Sequence, residues 1–304
     1  MDIPAPGPEP AGGALPPRFE ERAQTFLGHP WLPLVAGWLV LLGLALRADA
    51  LVGLLVGLAF AGAFLSGLVG IGGAIVMIPL LLYVPAFAGL TALDIKAVAG
   101  ITMVQVTAAA LAGLIGHRRR IDRGLFLALG PAMVVASFAG AVASKAVDAR
   151  LLEAVFAVMA TISAVIMLGL RRQTVPEVDG AVPFRRLVAV LVGIVVGFGA
   201  GLIGAGGAFF LIPVMLYGLR IPVRVTVGTS LAVVAASAVA GLAGKVITGQ
   251  VDWVLAMSLV AGALPGARLG AYVSQRTHPD RLVMVLAIAI AAVAVRMWLD
   301  LLGT

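Results

Sequence analysis

From Trp31 to Leu302 the chain is a succession of apolar stretches separated by short polar punctuation. Many of them reach or exceed about 18 residues, the length that lets a helix cross a bilayer. Hydrocarbon offers no water to the backbone, so only helices or closed barrels satisfy every N–H and C=O there. A barrel needs alternating strands of about ten residues, and that alternation is absent. The composition agrees, with 62% hydrophobic residues, 12% charged residues and a mean hydropathy of +1.12. A soluble domain is about a quarter charged, so this chain has too little polar surface to be one. The fold class expected is an all-α polytopic membrane protein, and analogy and the lack of a transit peptide place it in the plasma membrane.

The absence of cysteine excludes disulfides, thiolate metal sites and thiol nucleophiles. The net charge of +7 is not read as a nucleic-acid signal. The basic residues sit in short clusters between apolar segments, as the positive-inside pattern of membrane topology requires. "HRRRIDR" (117–123) and "RRQTVPEVDGAVPFRR" (171–186) are the strongest clusters and mark the cytoplasmic side. Residues 1–30 are proline-rich and read as a disordered tail. Ala48-Asp49-Ala50 resembles a signal-peptidase site, but Arg47 and the long leading tail stand against cleavage. An extra span is expected at 31–49. If every segment crosses, the chain crosses eleven times. If the segments starting at residues 72 and 207 dip in and return, it crosses nine times. The sequence leaves both open.

The apolar segments are not independent of one another. Ser66–Tyr83 and Ala200–Tyr217 align without gaps, with ten of eighteen residues identical. "KAVAGIT" (96–102) parallels "RVTVGTS" (224–230), "IDRGL" (121–125) parallels "VDWVL" (251–255), and "GAVASK" (140–145) parallels "GAYVSQ" (270–275). Residues 50–170 and 187–304 are therefore two copies of one unit of about five segments, joined by a cytoplasmic linker at 171–186. An odd number of crossings per copy inserts the second copy upside down. Inverted repeats of this kind are common in secondary transporters, whose sites lie near the midplane between the copies.

The best-matched element is glycine-rich: "GLVGIGGAIVMIP" (67–79) and "GLIGAGGAFFLIP" (201–213). A dinucleotide loop would need different glycine spacing and a soluble βαβ unit. Close helix packing is one membrane reading. A broken helix is the other. Each glycine weakens a helix by about 1 kcal/mol relative to alanine, and proline removes a further donor. Gly67, Pro79, Gly201 and Pro213 are expected to mark the breaks. Gly70, Gly72, Gly73 and their counterparts Gly204, Gly206 and Gly207 are expected to open N–H groups toward a cavity. A half-helix N-terminus there suits an anion.

These doubled phrases, followed by the "PVRVTVGTS" element (Pro222–Ser230), resemble the TauE/SafE sulfite exporter family, also known as toluene sulfonate uptake permeases. The resemblance covers about residues 50–302. It implies a secondary transporter, often an exporter, of small sulfur-containing or organic anions such as sulfite, sulfoacetate or other sulfonates. In the first copy "AGIT" (99–102) stands where the second has "VGTS" (227–230), so Thr102 supplies the hydroxyl that Ser230 supplies.

An anion carrier needs donors and no fixed negative charge nearby. All fourteen acidic residues fall in tails, loops or span ends, with Asp94, Asp122, Glu153 and Asp252 nearest the membrane. The donor candidates are Thr102 and Gln105 in the first copy and Thr229 and Ser230 in the second. Their rival reading is bonding within or between helices. Arg268 lies deep in its segment and is expected to be a buried, bidentate oxyanion ligand, with snorkelling as its rival. Lys96 and Arg224 correspond and read as interfacial anchors. The three histidines make no metal site, no cofactor is expected, and no nucleophile–base set points to an enzyme. The partners expected are a small anionic substrate, the bilayer, and a coupling proton or sodium ion. A transporter of another small metabolite and a non-transporting membrane assembly protein are the alternatives.

Overall fold

The computed structural model describes Gly43 and residues 49–69, 74–117, 121–169, 184–274 and 279–303. The tail, the extra span expected at 31–49, apart from single residues, and most of the linker lie outside them. The described residues are helical, with no strand among them. In chain order the helices are α1 (Ala50–Val69), α2 (Ala74–Phe87), α3 (Ile95–His117), α4 (Arg123–Ala143) and α5 (Ala149–Gly169) in the first copy. The second copy contains α6 (Arg186–Ile203), α7 (Ala208–Pro213) with a π turn at Val214–Gly218, α8 (Val223–Ile247), α9 (Trp253–Ser274) and α10 (Pro279–Leu301).

Among the described residues, six helices are long and apolar enough to cross a membrane: α3, α4, α5, α6, α8 and α9. Their outer faces are apolar, with Leu127, Val135, Val165 and Val195 64 to 70% exposed. Such faces suit lipid. The two glycine-led segments are different. α2 has 14 residues, and α7 with its π turn covers Ala208–Gly218. At 1.5 Å per residue these span about 21 Å and about 16 Å. Neither crosses about 30 Å of hydrocarbon alone.

The broadest helix contacts join the two copies. α1 packs on α9, α4 on α6, α3 on α8 and α5 on α10. Exchanging the copies maps α1·α9 onto α6·α4 and leaves α3·α8 and α5·α10 paired as before. The corresponding helices α3 and α8 run antiparallel: Thr107 Oγ1 donates to Ala238 O at 3.2 Å, while Met103, one turn earlier, lies against Gly241, almost one turn later.

Glycine makes these contacts possible. On α6, Gly193, Gly197 and Gly201 are four residues apart and form one stripe. They lie over the carbonyls of Leu129, Met133 and Ser137, which are also four apart on α4. A Cβ at Gly193 would sit 2.9 Å from Leu129 O, and one at Gly197 2.6 Å from Met133 O. On α9, Gly262 and Gly266 lie in the same way over the carbonyls of Val56 and Phe60 on α1. Both helix pairs are parallel. Both stripes belong to the second copy. At these positions the first copy contributes alanine, with Ala132 against Gly193 and Ala59 against Gly262, while further along α4 Gly140 lies over the Phe198 carbonyl of α6.

Gly201 and Gly67, expected to mark helix breaks, therefore lie inside α6 and α1. Gly201 is a packing position, because its missing Cβ leaves room for the Ser137 carbonyl. Pro79 lies inside α2, which continues through it. Its fixed φ is helical and only one hydrogen bond is lost. Pro213 ends α7, where the helix widens into the π turn.

Gly201→Val would force the α4 and α6 backbones apart and should cost about 1–3 kcal/mol by overpacking. Gly57→Val meets nothing within 4 Å and serves as the control. Thermal unfolding in detergent should show a lower midpoint for Gly201→Val alone.

Candidate functional site

The glycine phrase of the second copy forms a buried turn between α6 and α7. α6 stops at Ile203. Gly204 (φ 74°), Gly206 (φ 63°) and Gly207 (φ 76°) follow in the left-handed region, and α7 starts at Ala208. Side chains other than glycine rarely adopt this conformation. Ala205 is not among the positive-φ positions, so the pattern G-x-G-G places its one free letter where a Cβ is tolerated. The whole turn is buried.

Its surroundings fix its depth. A Cβ on Gly204 would strike the carbonyl of Ala99 on α3, and one on Gly206 would strike Val106 Cγ1 and lie 3.6 Å from Val234 Cγ1. Val106 and Val234 are corresponding residues of the two copies. Each lies eleven residues into its helix, counting from Ile95 and from Val223. At 1.5 Å per residue the turn therefore reaches about 16 Å along both α3 and α8, near their middles. Ser163 Oγ donates to Phe209 O at 3.3 Å, and the Phe156 and Phe209 rings meet with centroids 5.9 Å apart. These contacts seat α7 on α5.

The hydroxyl candidates sit beside this turn but are already bonded. Thr102 lies one helical turn before Val106 and Ser230 one turn before Val234, each on the face that meets Gly206. Thr102 Oγ1 donates to Val98 O at 2.6 Å and Ser230 Oγ to Val227 O at 3.2 Å, and both side chains are buried. Back-bonding of this kind leaves the acceptor lone pairs of each hydroxyl unused. Thr229 accepts instead, taking the Asp122 backbone N–H at 3.0 Å. Asp122 in turn caps α4 by accepting from Leu125 N at 2.8 Å. Thr229 thus ties the start of α4 to α8.

Gln105 is different. It is 4% exposed, and its Oε1 is buried without a hydrogen-bond partner. A buried, unsatisfied polar group costs about 1–3 kcal/mol. Ser137 Oγ, on α4 beneath Gly201 and facing Gly241, is also buried and unpaired. Arg268, expected to be buried, is exposed on α9. The inner face of that helix is taken by Gly262 and Gly266, and a long basic side chain on the other face is free to snorkel. Gly70, Gly72 and Gly73 lie outside the described residues. Among those residues no cluster of His, Cys, Asp or Glu could hold a metal ion. A 440 Å³ crevice between α3, α4 and α8 is lined by Leu111, Phe126, Ala232 and Val239 among others. It offers no donor to an anion.

The sequence reading passes over one polar cluster. Lys245 is fully buried, and its Nζ donates to Ser144 Oγ (2.6 Å), Gln250 Oε1 (3.1 Å) and Leu202 O (3.3 Å). Gln250 Nε2 donates to Thr248 Oγ1 (2.6 Å) and Ala141 O (3.1 Å). Lys245 sits near the end of its apolar segment, where a lysine ordinarily reads as an interfacial anchor. Its partner Ser144 is 101 residues away in sequence.

A duplicated helical bundle, interlocked around a buried glycine turn near the middle of its central helices, has the architecture of a membrane transporter. The model of the sulfite exporter TauE/SafE family matches residues 54–297. The chain belongs to this family. It is 27% identical over 247 residues to "Probable membrane transporter protein YunE" of Bacillus subtilis, covering 74% of this chain and 89% of the relative. A "Probable membrane transporter protein" of Xylella fastidiosa (strain 9a5c) is 28% identical over 250 residues, 79% and 94% of the two chains. "Probable membrane transporter protein YdhB" of Bacillus subtilis is 30% identical over 213 residues, 67% and 83% of the two. No solved structure matches the chain.

Gly206→Ala should destabilise the protein by about 1–2 kcal/mol from its left-handed backbone alone, with the clash against Val106 in addition. Val106→Ala should recover the clash part. A double-mutant cycle on thermal stability should give a coupling of about 0.5–3 kcal/mol. Additivity would mean that the two residues do not touch.

Proposed function

We propose that the chain is a secondary transporter of small sulfur-containing anions such as sulfite, sulfoacetate or other organosulfonates, by alternating access. The observation that carries this reading is the buried Gly204–Gly207 turn at mid-depth of α3 and α8. At the start of the short helix that follows, Phe210 and Leu211 donate to Gly207 O, which leaves Ala208 and Phe209 as the N–H groups without a helical partner, and the glycines of the turn let an oxyanion approach the backbone closely. Thr102 and Ser230 flank it with hydroxyls that can donate to an anion by turning away from Val98 O and Val227 O. The Gln105 amide can donate to an oxyanion only through Nε2, since its unpaired Oε1 is an acceptor. Among the described residues no fully buried side chain is a carboxylate.

The antiparallel course of α3 and α8 supports an inverted repeat. The symmetric pairing of helices across the copies supports rocking of one set against the other. The sulfur chemistry of the substrate follows the family description. Arg268 is no longer favoured as a ligand, given its exposure.

The test is uptake and release of radiolabelled sulfite and sulfoacetate in proteoliposomes. Saturable flux is expected, and the double substitution Gly72→Leu with Gly206→Leu should abolish it in correctly inserted protein. Flux that survives that substitution would remove the glycine turns from the mechanism. Saturable flux of an uncharged metabolite, with neither anion competing, would favour a different substrate class. Gln105→Leu should lower transport at least tenfold while leaving thermal stability unchanged or raised, because it deletes an unsatisfied buried acceptor. A loss of stability instead would make Gln105 a structural residue.

A further inference from the structure

Among the described residues, Lys245 is the one charged side chain that is completely buried. An ammonium has three donors, and three oxygens meet them, from Ser144, Gln250 and Leu202. All three are neutral. The charged group whose field reaches Lys245 is Lys96 of α3, of the same sign, whose Nζ donates to Lys145 O at 3.2 Å. A buried charge without an opposite partner is costly, and a purely structural tie could be made by an uncharged donor.

The surroundings suit two protonation states. Ser144 Oγ donates to Ala141 O at 2.7 Å and lies 2.9 Å from Gln250 Oε1. A hydroxyl hydrogen rotates freely, so Ser144 can accept from the ammonium or donate to the lone pair of the neutral amine. One of the three oxygens, Ser144 Oγ, comes from the first copy, and the other two come from the copy that holds Lys245. Ser144 follows α4 in the first copy. Leu202 is the penultimate residue of α6, two residues before Gly204, and Gln250 lies in the turn between α8 and α9. The backbone carbonyl of Gln250 fills the space beside Gly100 on α3. Sliding of the copies would break the set of acceptors.

We propose that Lys245 is the proton-binding site that couples anion movement to a proton. The inference rests on the transport reading above. In one state the ammonium is held by its three oxygens, and its charge offsets that of the anion at the nearby glycine turn. In the other, the N–H bond breaks heterolytically. The proton passes to water on the open side, the electron pair stays on Nζ, and Ser144 donates to it. No other bond changes.

The experiment uses the full chain in proteoliposomes with radiolabelled sulfoacetate and sulfite, and a pH-sensitive dye in the lumen. For the wild type, an inward proton gradient should raise the initial rate of anion uptake several-fold, with acidification of the lumen that depends on the anion. Lys245→Arg stays protonated and Lys245→Gln carries no proton. Lys245→Arg should keep anion exchange at equal pH, Lys245→Gln, without the offsetting charge, should slow it, and both should lose the response to the gradient. Should neither variant insert, Ser144→Ala removes one acceptor and should cut the gradient response several-fold. A response that persists in these variants, wild-type flux indifferent to the proton gradient, or flux driven by sodium instead would each overturn the proposal while leaving transport intact. Absence of flux for both anions through the wild type would instead remove the substrate reading on which the proposal stands.

Discussion

The fold depends on backbone meeting backbone across the two copies. Lipid tails are as apolar as leucine, so helices in a membrane gain little by burying side chains against each other. What holds them is dense packing, and that is greatest where Cβ atoms are missing. α4 with α6 and α1 with α9 are built this way, with carbonyls of one helix occupying the place of absent side chains on the other. These two parallel pairs clasp the first helix of each copy against the fourth helix of the other. They enclose α3 and α8, and with them the glycine turn.

The turn uses glycine for a different reason. At Gly193 or Gly262 the backbone is ordinary helix and only space is required. At Gly204, Gly206 and Gly207 the backbone is left-handed, and space is required as well. The same residue type thus serves two purposes within fifteen positions of α6 and its exit, and composition alone cannot separate them. Here the sequence was partly legible. The duplication, the helical class and the glycine phrase could be read directly, because apolar period and repeated letters record them. Gly201 was mistaken for a break because it belongs to the repeated phrase, although its neighbour in space is the Ser137 carbonyl.

Other parts could not be read from local pattern. Arg268 is in the middle of an apolar run, which says nothing about the face it occupies, and that face is set by where Gly262 and Gly266 lie. Thr102 and Ser230 were legible as a matched pair of hydroxyls, but not their bonds to Val98 and Val227. Lys245 was invisible as a buried group because the partners that cover it come from α4, α6 and the turn after α8. Gln105 gave the clearest early signal, an amide where the other copy has Val233, and it is the candidate whose capacity the fold leaves unspent.

The placement of the glycine stripes has a consequence for how such a chain could arise and diverge. A duplicated unit begins with interchangeable halves, each able to pair with a twin of itself. In this chain both stripes lie in the second half, and the first half answers with Ala59 and Ala132. Two first halves would meet alanine against alanine at these crossings, and two second halves would meet glycine against glycine. Neither combination would reproduce the fit of glycine against alanine at Gly193 and Gly262. The halves have become complementary parts, and the single polypeptide fixes their one-to-one ratio.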